Sequence, residues 1–278
     1  MEFISLVIII IFLLFIINEK QKKEYIESEY YAVTKNPYAR VRFDKGKFGE
    51  YLIYKHLKTL KIQDAKFLFN VYVPKENGTT SEIDVLMICS KGIFVFESKN
   101  YSGWIFGDEN QKNWYQTLRN GNGKSHKESF YNPVLQNRTH IKHLSAYLDR
   151  VIDFYSVIVF SERCTLKRIN IKSENVKVTK RNNLNVVVKD ILYKQYKREL
   201  SLFEIEEIYH ILYPLSQVSE EIKYNHIQTI EGNRNSKDFS FTKKQIRSGR
   251  QHFLGQTEEK KDNYANENLF IGTQERKE

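Results

Sequence analysis

Two cysteines, four prolines and twelve glycines in 278 residues leave little of the material from which several protein classes are built. Cys89 and Cys164 stand far apart, with no CxxC pair and no Cys/His cluster, which excludes a disulfide framework and a structural zinc site. So little proline and glycine, beside 28% charged and 41% hydrophobic residues, excludes collagen-like and wholly disordered chains. No GxxxxGK phosphate loop is present, which argues against ATP-driven chemistry in this chain. No aromatic stacking motif of the RNP type occurs, and no internal repeat is visible. Positive charge is abundant: Lys+Arg 44 against Asp+Glu 34, a formal net charge of +10. That surplus fits an anionic partner, nucleic acid or an acidic membrane surface, without choosing between them.

Residues 3–17 read FISLVIIIIFLLFII, with Ser5 the single polar side chain. The run is apolar on every face, unlike an amphipathic core helix. It also lacks the positive start and small-residue cleavage site of a signal peptide. It is therefore read as an N-terminal membrane anchor, a lipid-bilayer partner contacted through residues 3–17. As a helix it spans roughly 22 Å, short of the ~30 Å hydrocarbon core, so the bilayer thins or flanking lysines snorkel. Lys20, Lys22 and Lys23 follow the run and Glu2 precedes it. By the positive-inside tendency, a single-pass chain in the cell membrane then carries its remainder on the cytoplasmic side.

Residues 18–40, charged and tyrosine-rich, read as a juxtamembrane stalk. A globular unit is expected over 41–215, with the motif-bearing core at 41–150. Residues 216–278 read as a polar, disordered tail. Within the globular unit, Asp44 is placed to cap a helix from about 45 to 61. FLFNVYVP, EIDVLMI and GIFVFESK are strand-like, the last two apolar enough to be covered on both faces. WIFG and NWYQTL suggest a hairpin, and Gly121-Asn122-Gly123 a flexible turn. Asn132-Pro133 opens a helix by N-cap and first-turn logic, running to about Arg150. YSVIVFS, RINI, VKVTK and NVVV are further strand candidates, and SLFEIEEIYHILYPL is a helix ended by Pro214.

The candidate chemistry lies on the EIDVLMI–GIFVFESK hairpin. A symmetric loop over Cys89 to Gly92 sets Ile88 opposite Ile93, and hence Asp84 opposite Glu97. Like charges directly opposed on one sheet face are destabilising, and burying them is costly unless a cation lies between. A hard divalent ion such as Mg²⁺, which takes one or two carboxylates, relieves that repulsion. Lys99, two residues beyond Glu97, projects on the same face. Alternatively, Glu97 and Lys99 form an ordinary ion pair at the strand end. Glu50 flanks the Ile53–Leu57–Leu60 stripe of its helix, either at the solvent rim or aimed at the site. His140 and His143 have metal-like helical spacing but no third ligand, and read as solvated. The basic runs Lys167-Arg168 and Lys180-Arg181 also read as solvated surface.

The ordered set Gly46-x-x-Gly49-Glu50, then Glu82-Ile83-Asp84, then Phe96-Glu97-Ser98-Lys99-Asn100 resembles the nuclease-related domain (NERD) family, which is similar to the PD-(D/E)xK phosphodiesterases. Trp104, Trp114 and Asn132-Pro133-Val134-Leu135-Gln136 match the family's downstream pattern. Ile83, rather than proline, precedes Asp84, as is usual in the NERD pattern. The resemblance implies an α/β fold with a restriction-endonuclease-like mixed β-sheet flanked by helices. It also implies an active-site set of Glu50, Asp84, Glu97, Lys99 and Gln136, and a Mg²⁺ or Mn²⁺ ion on Asp84, Glu97 and Glu50. Gln136 lies off the Ile141–Leu144–Leu148 stripe, so solvent exposure is its alternative. The expected function is a membrane-anchored, metal-dependent nuclease with DNA favoured over RNA as partner. The competing readings are a catalytically idle module docking nucleic acid or protein, and a scaffold reading lipid phosphates.

Overall fold

The computed structural model describes residues 2–119, 125–194 and 198–231; the Gly121–Gly123 turn and the tail beyond Glu231 lie outside the described residues. Helix α1 (Glu2–Ile26) is followed by two short helices, α2 (Glu29–Thr34) and α3 (Tyr38–Phe43), and by α4 (Lys45–Lys58). Asp44 caps α4 as its position implied, its Oδ1 accepting from the Gly46 and Lys47 amides at 2.9 and 3.0 Å. Strands β1 (Lys66–Pro74), β2 (Thr80–Cys89), β3 (Gly92–Lys99), β4 (Gly103–Asp108), β5 (Asn113–Arg119) and β6 (Ser125–Tyr131) come next. Helix α5 (Pro133–Leu148) opens on Asn132, whose side chain accepts from the Val134 amide, with Pro133 in the first turn. The chain continues through β7 (Phe154–Phe160), β8 (Cys164–Asn170), β9 (Val176–Lys180), α6 (Leu184–Leu192), α7 (Leu202–Ser216) and α8 (Glu220–Glu231).

The strands form two sheets where one was expected: β1-β2-β3-β7-β9, and β6-β5-β4-β8. Both are mixed, because β3–β7, β7–β9 and β4–β8 pair parallel while their other pairs are antiparallel. The second sheet carries β6, SHKESFY, a strand too polar to read as one; it is an edge strand exposed along most of its length. The central strands β2 and β3 are buried nearly throughout, as their apolar runs required. Helix α5 covers the face bearing Val95: the Asn137 amide group donates to the Val95 carbonyl at 2.8 Å. Helix α4 approaches the other face so closely that a Cβ at Gly49 would stand 2.8 Å from Ser98 Oγ.

Several expectations are corrected. NVVV is part of helix α6, because Leu184, Val188 and Ile191 recur at helical spacing and all are buried; packing overrides the strand preference of valine. Pro214 lies inside α7, which runs on to Ser216. The segment read as a stalk belongs to the core: Tyr25 and Tyr30 are 0% exposed and Val33 is buried with them. Tyrosine supplies a large apolar body with one polar tip, and both tips are satisfied, Tyr25 on the Asn36 carbonyl and Tyr30 on Glu50. Residues 220–231, assigned to the tail, form α8, whose His226 is buried with Nδ1 2.9 Å from Thr80 Oγ1. Burial holds the His226 imidazole below its usual range, against the pull of Glu82.

Helix α1 carries the apolar run and continues nine residues past it. The helix is long and apolar enough to cross a membrane: its most apolar 18-residue stretch has a mean hydropathy of 2.4 and none of that stretch is buried, whereas Tyr25 near its C-terminal end is. A signal sequence near an N-terminus passes the same test.

Candidate active site

The hairpin register agrees with the symmetric-loop expectation, from Cys89↔Gly92 to Val85↔Phe96. There the ladder stops. Asp84 does not continue it through its backbone; its Oδ2 accepts from the Ser98 amide at 2.8 Å. The two strands thus fork at Asp84, and a carboxylate takes over the bond that the ladder gives up. Beyond the fork stand Glu97, Ser98 and Lys99, the last residues of β3 before the chain crosses to the second sheet.

Glu97 is 2% exposed, and both of its oxygens face protein groups. Lys99 Nζ donates to Oε1 at 2.7 Å, and His140 Nε2 stands 3.3 Å from Oε2. The second contact is within ionic range but poorly aligned, so neither atom gains a full hydrogen bond from it. Ser81 Oγ lies 2.6 Å from His140 Nδ1; when Nδ1 accepts from this hydroxyl, the ring proton sits on Nε2 and faces Glu97. Burial works against a charged Glu97, but Lys99 and His140 outweigh it and hold the carboxyl below its ordinary range. Lys99 is likewise disfavoured by burial, and Glu97 and Asp84 hold its ammonium above the usual lysine value. Gln136, one turn before His140 on α5, accepts from Lys99 Nζ through Oε1 at 3.0 Å.

Glu50 is buried on α4, and its Oε2 accepts from Tyr30 at 3.1 Å and from Asn70 at 3.0 Å. Burial pushes its carboxyl up to about 7, with Lys47 and Asn70 pulling the other way. Asp84 is raised well above its ordinary value by burial and then by the charges of Glu97 and Glu50, against Lys99 and the Ser98 amide. Two buried carboxylates, Glu50 and Glu97, and the half-buried Asp84 therefore lie within electrostatic reach across the fork, with the Lys99 ammonium acting on both Asp84 and Glu97. That excess of negative charge, on hard oxygen donors, is a fitting environment for a small divalent cation. Among the described residues, no group of three or more His, Cys, Asp or Glu side chains is arranged to hold a metal ion. The carboxylates that could hold such an ion are Asp84 and Glu97 at the fork, with Glu50 within electrostatic reach of Asp84.

The structure brings Asp84, Glu97, Lys99 and Gln136 together, and sets Glu50 within electrostatic reach of Asp84. Gln136 faces the site rather than solvent. His140, read as solvated, is 7% exposed and points at Glu97; His143, on the next turn, takes no such place. Tyr30 and Asn70, which fix Glu50, were not singled out by sequence. The signals that point to them are local: a tyrosine-dense segment ahead of the domain, and an asparagine interrupting an apolar strand, where Asn70 adopts φ 50°.

An α/β protein with a buried carboxylate–lysine site at a strand fork is defined by these features. The nuclease-related domain model matches residues 45–161, which include all five of these residues. The chain is also 33% identical to an uncharacterized protein of Bacillus anthracis over 184 residues, 66% of this chain and 82% of that one. It belongs to the nuclease-related domain family. No solved structure matches it.

Proposed function

We propose that the protein is a membrane-anchored, divalent-metal-dependent nuclease that hydrolyses phosphodiester bonds of nucleic acid. The observation that carries this reading is the meeting of Asp84, Glu97 and Lys99 at the β2–β3 fork, two acids and one ammonium on hard, buried ground. Asp84 and Glu97, with Glu50 behind them, are the residues to hold Mg²⁺ or Mn²⁺, which when bound supplies Lewis acidity and a lowered pKa for an attacking water. Lys99, with two of its three protons on Glu97 and Gln136, offers the third to a phosphoryl oxygen, where negative charge grows in the transition state. Gln136 fixes the direction of that ammonium. His140, itself held by Ser81, stands beside the far oxygen of Glu97 and limits rotation of the carboxylate away from the fork.

The test is cleavage by the full-length protein in detergent, with DNA and RNA of single and double strand, under Mg²⁺, Mn²⁺ or EDTA. Cleavage is expected with either metal and none in EDTA, DNA being cut in preference. Asp84→Asn is expected to lower the rate by about 10²-fold or more, since losing even a hydrogen-bond partner of a metal ligand costs roughly 10–100-fold. Binding without cleavage under every metal would make the protein the idle nuclease-fold module and overturn the reading.

In the same proposal, α1 anchors the chain with the nuclease domain in the cytoplasm. The support is its apolar length and Lys20, Lys22 and Lys23 on its C-terminal side. Full-length protein is expected in the membrane fraction, with its C-terminus protected from protease added to intact cells. A soluble product shortened at the N-terminus, or a C-terminus cut from outside, would show a signal sequence or the reverse orientation.

A further inference from the structure

The second sheet has one face inside and one outside. Ile105, Trp114 and Gln116 are buried, so alternation turns Trp104, Phe106, Tyr115 and Thr117 outward. Register places Phe106 directly opposite Tyr115, and Trp104 opposite Thr117, on that outer face. The β4–β8 ladder shifts by one residue between Ile105 and Phe106. The extra residue in this bulge is Lys167, and its Nζ lies 5.0 Å above the Trp104 ring. Lys127, opposite Thr117 on β6, sets its Nζ 4.0 Å above the Tyr115 ring. Arg168 pairs with Phe106, and a cleft of ≈ 560 Å³ lies between Phe106, Tyr115, Lys127, Arg168 and Asp108.

We infer that this face is a binding platform for single-stranded nucleic acid, on which bases stack on Trp104 and Tyr115 while Lys127, Lys167 and Arg168 take the phosphates. The rings are partly exposed, and each lysine lies over a ring rather than beside it, so it is the π-face that is offered. Those faces suit unpaired bases; the bases of a duplex are already stacked on one another and cannot use them. The three cations leave the face positive. Its acid, Asp108, is already bound by the Asn170 side chain and the Asn110 amide, and Glu128 alternates to the other side of β6. An incoming strand replaces each lysine over its ring with a base and gives the lysine a phosphate. Trp104 is five residues beyond Lys99, hence at most about 18 Å from it along the chain, so a strand held here lies close to the fork.

This inference rests on nucleic acid as the ligand proposed above, but not on turnover. The test is anisotropy of labelled oligothymidine and oligouridine with the full-length protein in detergent and EDTA, where nothing is cut. Single strands are expected to bind more tightly than a duplex of equal length. The Trp104→Ala/Tyr115→Ala pair is expected to weaken single-strand binding by roughly 5- to 150-fold per ring lost. Trp104→Phe/Tyr115→Phe, which keeps both rings, is expected to restore most of it and guards against a folding defect. Lys127→Ala/Lys167→Ala is expected to lower the slope of log affinity against log salt by about 1.4. Unchanged affinity in the double-alanine variant, duplex bound as well as single strand, or binding confined to phosphatidylserine vesicles, would each overturn the platform. Cleavage lost with binding intact would instead refute the nuclease reading alone.

Discussion

Lys99→Ala is expected to reduce phosphodiester cleavage by about 10²–10³-fold while leaving Mn²⁺ binding unchanged or slightly tighter. The first effect is that of removing one preorganised donor from developing negative charge. The second follows from the ion pair: Lys99 Nζ bonds Glu97 Oε1 at 2.7 Å, so its loss leaves a more negative site for a cation. Stripping a buried carboxylate of its partner costs about 3–5 kcal/mol of stability, so unfolding is measured beside activity and the assay is run well below the transition. Calorimetric titration with Mn²⁺ separates the roles. Near-normal turnover would remove Lys99 from the chemistry, and lost Mn²⁺ affinity would make it a support of the ligand geometry. Gln136→Ala, which frees the ammonium without removing it, is expected to lower turnover by a smaller factor.

A chain that begins at residue 41, where the globular unit seemed to start, is expected to be far less stable than one that begins at residue 18. Tyr25 and Tyr30 are 0% exposed, and their rings join Tyr51, Tyr54 and Phe69 in one aromatic cluster, with Tyr30 4.7 Å from Phe69. Removing one such side chain from a core costs about 3–5 kcal/mol, a large part of the ~5–15 kcal/mol that a whole domain has. Losing both uncovers β1 and deprives Glu50 of its Tyr30 partner. Urea unfolding of the two truncations, with Tyr30→Ala in the longer one, measures this. Equal midpoints would mean that residues 18–40 sit on the domain without supporting it. Because Tyr30 bonds Glu50, the same truncation is expected to impair cleavage, so activity assays need the longer chain.

The sequence by itself determined what depends on near neighbours. Two apolar runs around a four-residue loop, closed symmetrically, set Asp84 opposite Glu97, and the strand period puts Lys99 on the same face, so the three were legible as a group. The caps Asp44 and Asn132 were legible because capping is settled within three residues. The apolar run of α1 declared itself by composition. The tertiary structure decided what depends on approach between distant segments. Gln136 and His140 meet Lys99 and Glu97 only because α5 packs across β3, and helix periodicity fixes a face without saying what that face meets. Tyr30 reaches Glu50 across twenty residues of chain, so charge and aromatic content suggested a stalk where packing made a core. NVVV became a helix for the same reason: β-branched residues prefer strands only weakly, and the burial of Leu184, Val188 and Ile191 on one side outweighs that preference. The division into two sheets was settled by β4 pairing with β8 across some sixty residues, a contact whose chain-closure cost no local pattern records.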